Sequence, residues 1–273
     1  MLVSTIDYND YVGRIGIGKI ERGTIKTGDN VTLCSFGSDQ VRTNIRVTSL
    51  SVFEGLKKVP VEEASAGEIV ALSGVQGINI GDTLCAPLAV EPLPFVKITE
   101  PTVSMTFSVN DSPFAGKEGK FLTSRHIRAR LYREIETDVS LRVEDTDSAD
   151  SFKVSGRGEL HLSVLVENMR RQGYELQVSK PEVLYKEIDG KRCEPMERVI
   201  IDVPEMYSGT VIQHMATNHG QMVNMNSLSD TMRRMEFIVP ARGLFGYRGT
   251  FLTDTHGEGV MNSVFDGYAP YTG

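Results

Sequence analysis

Apolar and polar positions change their rhythm along this 273-residue chain. Up to about residue 93, β-branched residues gather in short runs: Val12 to Ile17, Ile20 to Ile25, Val31 to Leu33, Ile45 to Val52 and Ile69 to Leu72. Glycine turns such as Thr27-Gly28-Asp29 and Gly81-Asp82 separate them. Many short strands at close spacing predict a small closed barrel, which leaves no exposed sheet edge. Pro87, Pro92 and Pro94 then predict a stiff linker.

From Glu100 the pattern alternates between two periods. "PTVSMTFSV" reads as a strand, and "EGKFLTSRHIRARLYREIE" as a helix with Ile127, Leu131 and Ile135 along one stripe. A hairpin follows across "EDTDSAD". A second helix carries Leu162, Leu165, Val166 and Met169 inward, with Arg170 and Arg171 in its last turn and Gly173 ending it. "YELQV" closes a β-α-β-β-α-β order, the ferredoxin-like arrangement. After Lys180-Pro181 the same order recurs, with helices predicted over "EMYSGTVIQHMATNHG" and "ARGLFGYRGTFLTDT". The predicted chain is therefore multidomain α+β. An all-β barrel at 1–93 precedes two ferredoxin-like α/β sandwiches, at 98–179 and 180–270.

Composition narrows the class. At 40% apolar and 24% charged the chain is ordinary for a globular protein. No apolar run approaches the roughly 20 residues that span a membrane, and the first ten residues lack the basic flank and apolar core of a secretory signal. Cys34, Cys85 and Cys193 form no CxxC pair, which argues for a reducing compartment, the cytoplasm, and against a zinc site. The net charge of −7 conceals a nearly neutral middle: residues 94–179 hold 12 basic and 13 acidic side chains, eight of the basic ones arginines. Basic residues gathered on one face keep RNA within reach.

The motifs that look catalytic fail on spacing. No G-x-x-x-x-G-K-[ST] phosphate loop exists, and "GKEGKF" at Gly116 to Phe121 lacks both the spacing and the hydroxyl. Glu159 and His161, two apart, diverge on a helix and cannot share a metal. Asp145, Asp147 and Asp150 miss the EF-hand pattern. Asp254 to Gly257 is an isolated DxxG, and His214 and His219 are five apart. Met215, Met222, Met225, Met232 and Met235 read as core fillers. "SGRGELHL" reads as a strand-to-helix junction, capped by Ser155 or Gly156, with the glycines permitting close packing. Basic density is what stands out. Lys117, Lys120, Arg125, Arg128, Arg130 and Arg133 lie on or just before one predicted helix. Arg157 sits between two glycines, and Arg242 and Arg248 flank "GLFGY". Guanidinium and ammonium groups of this kind suit phosphates.

"GKIERGTIKTGD" resembles the barrel domain of translational GTPases. "VSGRGELHLSVLVENMRRQGYELQVSKPEVLYKEIDG" resembles the end of domain III running into domain V of the elongation factor G class. "SPFAGKEGKFLTSRHI" and "PARGLFGYRGTF" are most similar to the TypA/BipA family, and the likeness runs from Asp7 to about Tyr268. It implies a ribosome-bound protein acting in translation or large-subunit assembly under stress, with ribosomal RNA and tRNA as partners and the chain acting as a monomer. It also implies that the GTPase domain, with GTP and Mg, precedes residue 1 and that a further domain follows Gly273. No catalytic, cofactor-binding or metal residue is then expected here. The expected RNA-binding residues are Lys117, Lys120, Arg125, Arg128, Arg157, Arg242 and Arg248. A free-standing RNA-binding or ribosome-assembly protein without a GTPase domain is the alternative.

Overall fold

Alternation of buried and exposed positions builds ten strands in the first third of the chain. They are β1 (Leu2–Asn9), β2 (Gly13–Lys19), β3 (Thr24–Lys26), β4 (Asn30–Ser35), β5 (Val41–Arg46), β6 (Ser49–Glu54), β7 (Lys57–Pro60), β8 (Glu63–Ser65), β9 (Ile69–Ser73) and β10 (Asp82–Cys85). The computed structural model describes every residue except 96, 97 and 99. Eight of these strands form one antiparallel sheet in the order β5-β4-β10-β1-β2-β9-β6-β7, and β3 pairs with β8. β5 stands at one end of that order and β6 next to the other, yet only Val47 and Thr48 separate them. So short a connection requires the sheet to curl into a barrel. The run Ile45 to Val52, expected as one strand, breaks at this corner. The Val47 N–H donates to Asp29 and the Thr48 N–H to Ser73, two different strands' neighbourhoods. Val3, Ile6, Val31, Leu33, Leu50, Val70, Leu72, Ile78 and Leu84 fill the interior.

Two compact units divide the chain: Met1–Ile98 with Arg128–Leu141, and Thr99–Ile127 with Arg142–Gly273. Within the first, Arg14 pairs with Glu136 at 2.8 Å, Arg133 with Asp10 at 3.3 Å, and Val139 packs on the barrel core. The proline-rich stretch expected as a linker is fastened to the barrel as far as Phe95. Glu91 donates its N–H to the Cys85 sulfur and pairs with Arg22, Leu93 donates to the Thr83 hydroxyl, and the Phe95 ring lies against Gly81. Cys34 and Cys85 bring their sulfurs to 3.7 Å as free thiols, and burial raises the Cys34 thiol to about 11.

Next along the chain come β11 (Val103–Ser108), α1 (Ser124–Glu134), β12 (Arg142–Asp145), β13 (Ser151–Gly156), α2 (Glu159–Arg171) and β14 (Gln177–Val178). The sheet order β12-β13-β11-β14, all antiparallel, is that of a ferredoxin-like sandwich. Val103, Phe107, Phe152 and Val154 face inward beneath Leu162, Leu165 and Met169 of α2. Deleting a side chain such as Leu162, wholly buried, costs about 2–5 kcal/mol. The first helix begins at Ser124, six residues into the segment expected from Glu118, because the Thr123 hydroxyl accepts the His126 N–H and starts it there.

β15 (Glu182–Val183) pairs along β11 beyond β14, and β16 (Lys186–Ile188) forms a hairpin with β17 (Lys191–Pro204). Then come α3 (Glu205–Thr217), β18 (Gln221–Ser227), β19 (Met232–Pro240), α4 (Tyr247–Asp254) and β20 (Val260–Pro270). The order β20-β17-β19-β18 repeats the first sandwich. Val199, Ile201 and Val203 of β17 pack with Met235, Phe237 and Val239 against Val211, Met215 and Phe251. The helix expected across "ARGLFGYRGTFLTDT" is broken: Ala241–Leu244 is a 3-10 turn, Phe245 is extended and Gly246 has φ 71°. Met215 and Met235 fill the core as expected, whereas Met222 and Met225 stand exposed on the edge strand β18.

Candidate nucleic-acid interface

The loop before α1 is built on one carboxylate. Glu175 Oε1 accepts the Gly116 N–H and the Asn110 amide at 2.8 Å each, and Oε2 accepts the Glu118 and Gly119 N–H groups at 3.0 Å. Those donors, the Gly116 and Glu118 amides foremost, hold the Glu175 carboxyl at about 2, well below the usual range. Gly119 must be glycine, since a Cβ there would stand 2.5 Å from the Glu175 Cβ and 2.8 Å from its backbone nitrogen. Converging N–H groups form an anion nest. The phosphate-loop look of "GKEGKF" thus has a physical basis, but an internal carboxylate fills the place of the anion. Lys120 and Phe121 add backbone bonds to Gly173, which ties the loop to the end of α2.

This scaffold carries Lys117 and Lys120 outward, and Arg125 follows one residue into α1; all three are exposed. Lys117 lies over the Phe114 ring at 4.8 Å. Neither Lys120 nor Arg125 has an acidic side-chain partner among the described residues. Arg128, also on α1, stacks on Tyr132 at 4.3 Å. Arg130 and Arg133 are paired with Glu134 and Asp10.

A second group forms where α2 starts. The Arg157 N–H donates to His161 Nδ1 at 3.1 Å, and its carbonyl accepts the Thr102 hydroxyl at 3.0 Å. His161 is therefore structural, and the exposed Arg157 side chain projects from a fixed backbone. The helix is capped at Gly158, not at Ser155 or Gly156, which both belong to β13 and are buried. Gly156 serves close packing: a Cβ would meet His161 Nδ1 at 2.8 Å and Leu162 Cδ2 at 2.9 Å. Glu159 turns away from His161 and accepts the N–H of Gly246, the residue that caps α4, at 3.0 Å. That bond joins the starts of α2 and α4, and the exposed Arg157 and Arg248 each lie two residues from one of its ends in sequence.

Arg242 is placed differently. Its guanidinium makes a bidentate pair with Glu194, which is 1% exposed, donates to the Gly273 carbonyl and stacks on Tyr271. Periodicity gives no signal for Glu194, Glu159 or Glu175, because a carboxylate that organises backbone or an arginine looks like any other surface acid in a sequence. Among the described residues no group of three or more histidine, cysteine, aspartate and glutamate side chains is arranged to hold a metal, and no helix is long and apolar enough to cross a membrane. His214 stacks on Tyr247 at 3.6 Å, apart from His219.

A β-barrel leading into two ferredoxin-like sandwiches, with cations raised on rigid loops, defines a translation-factor architecture. The elongation factor Tu domain 2 family matches residues 13–85, and the elongation factor G C-terminus family matches residues 191–273. A crystal structure of a Thermus thermophilus protein shares the fold with a TM-score of 0.59 at 16% identity, over 98% of this chain and 55% of that one. The large ribosomal subunit assembly factor BipA of Bacillus subtilis (strain 168) is 56% identical over 268 residues, covering 98% of this chain and 44% of its own length. BipA of Synechocystis sp. is 51% identical over 271 residues, covering 99% and 45%. That of Salmonella typhimurium is 48% identical, covering 98% and 44%. The chain belongs to the TypA/BipA family, and it spans less than half the length of these relatives.

Proposed function

We propose that this chain supplies the ribosome- and ribosomal-RNA-binding domains of a TypA/BipA-type GTPase that acts in the cytoplasm in translation or large-subunit assembly. The observation that carries the reading is the match of 98% of the chain to proteins named as large ribosomal subunit assembly factors. The geometry adds the contacts. Lys117, Lys120, Arg125, Arg157 and Arg248 reach solvent from backbone held in place by Glu175, His161 and Glu159, so little freedom is lost when they meet phosphates. Arg128 on α1 is a further candidate contact, while Arg242 contributes by holding the end of β20. GTP and Mg belong to a GTPase domain outside these residues, and the chain itself performs no GTP chemistry.

Co-sedimentation of the protein with purified 30S, 50S and 70S particles tests the reading. Salt-sensitive association with particles that contain the large subunit is the expected result. Failure to sediment with any particle at low salt overturns it.

A further inference from the structure

The loop tip holds an aromatic ring that the basic residues alone do not account for. Phe114 is 67% exposed, although a phenylalanine gains by burial. It stands on a loop whose shape is fixed beneath it. The Phe114 N–H donates to the Ser112 hydroxyl, the Ala115 N–H to the Ser112 carbonyl, and the next turn is clamped on Glu175. Lys117 covers one face of the ring from 4.8 Å, and Lys120 follows on the same loop. Nearby acids are engaged. Glu175 is surrounded by donors, Glu167 is paired with Arg170 and Arg171, and Asp111 accepts the Gln177 amide, while the exposed Glu118 gives its backbone N–H, not its charge, to the clamp.

A rigid, exposed ring with one cation above it and a second further along the same loop is an arrangement that receives a splayed nucleotide: the base stacks on the ring and the phosphates meet the ammonium groups. We propose that Phe114 is a stacking platform for an unpaired nucleotide of ribosomal RNA, with Lys117 and Lys120 pairing the adjoining phosphates. The proposal rests on the ribosome-binding reading and sharpens it to one residue. Nothing in the sequence signals this role, since a lone phenylalanine in "SPFAGKEG" looks like a core residue.

Two measurements on the full-length protein test it. In the first, ribosome affinity is compared for the wild type, Phe114→Tyr, Phe114→Leu and Phe114→Ala. Stacking requires that Tyr keep the affinity while Leu and Ala both lose roughly tenfold. Equal affinity of Leu and wild type means that only an apolar contact is made, and overturns the proposal. In the second, a photo-crosslinking phenylalanine analogue replaces Phe114 and the ribosome complex is irradiated. A crosslink to ribosomal RNA supports the platform; a crosslink to a ribosomal protein or to the protein's own chain overturns it, and so does the absence of any crosslink in a complex that still sediments. A wild-type protein that does not sediment with ribosomes overturns the ribosome-binding reading instead, so the two failures are distinguishable.

Discussion

At the residue scale, two side chains separate structural from binding roles. If Arg242 serves Glu194, then Arg242→Ala leaves a carboxylate buried without its partner, and stability falls by about 3 kcal/mol in urea denaturation. An Arg242→Ala variant of unchanged stability but weakened ribosome affinity contradicts that assignment. Tyr247 is 2% exposed, and its hydroxyl has no hydrogen-bond partner among the described residues. Burial raises that phenol to about 12. Removing an unpaired buried hydroxyl relieves its desolvation, so Tyr247→Phe is expected to be neutral or to raise stability by about 1 kcal/mol. A clear loss of stability in the same denaturation experiment shows that the hydroxyl has a partner.

At the scale of the element, the Glu175 loop behaves as one unit. A carboxyl held at about 2 when folded stabilises the loop fully above the ordinary carboxylate range, and loses that contribution as pH falls through about 2. Amide exchange at Gly116, Glu118 and Gly119 is thus expected to stay protected at about pH 4, near the ordinary carboxylate value. Glu175→Gln, which turns an amide toward the same donors, raises exchange at those three amides while α2 remains protected. Equal protection in wild type and variant contradicts the clamp. Gly119→Ala reproduces the defect by sterics, since its Cβ enters the space of Glu175.

Legibility in the sequence divides along the same line. The inward stripe of Leu162, Leu165 and Met169 and the alternation of β17 to β19 reveal themselves through period, because burial repeats with the geometry of helix and strand. The break at Phe245-Gly246, the barrel corner at Val47-Thr48 and the start of α1 at Ser124 do not. Each is decided by a hydrogen bond or a backbone angle at a single residue, within an apolar pattern that continues across it. The cations of the candidate interface were visible as composition. What holds them was not, because Glu175 is 56 to 59 residues from the loop amides it binds, and Glu159 is 87 from Gly246.

At the scale of the whole molecule, the segment from Ala86 to Phe95 belongs to the barrel despite its three prolines, through Glu91, Leu93 and Phe95. Limited proteolysis is expected to spare the bonds around Glu91 to Leu93, and a dominant early cut there contradicts the attachment. The central claim is that the exposed cations on these fixed loops bind ribosomal RNA. Its most direct test is ribosome affinity of the full-length protein across a salt series, for wild type, Lys117→Glu/Arg125→Glu and Arg157→Glu, after circular dichroism shows that each variant folds. Loss of phosphate contacts lowers affinity and flattens the dependence of log affinity on log salt, by roughly 0.7–0.9 for each contact removed if RNA follows the nucleic-acid rule. Weaker binding with shallower slopes is the predicted result; folded variants with the affinity and slope of wild type contradict it.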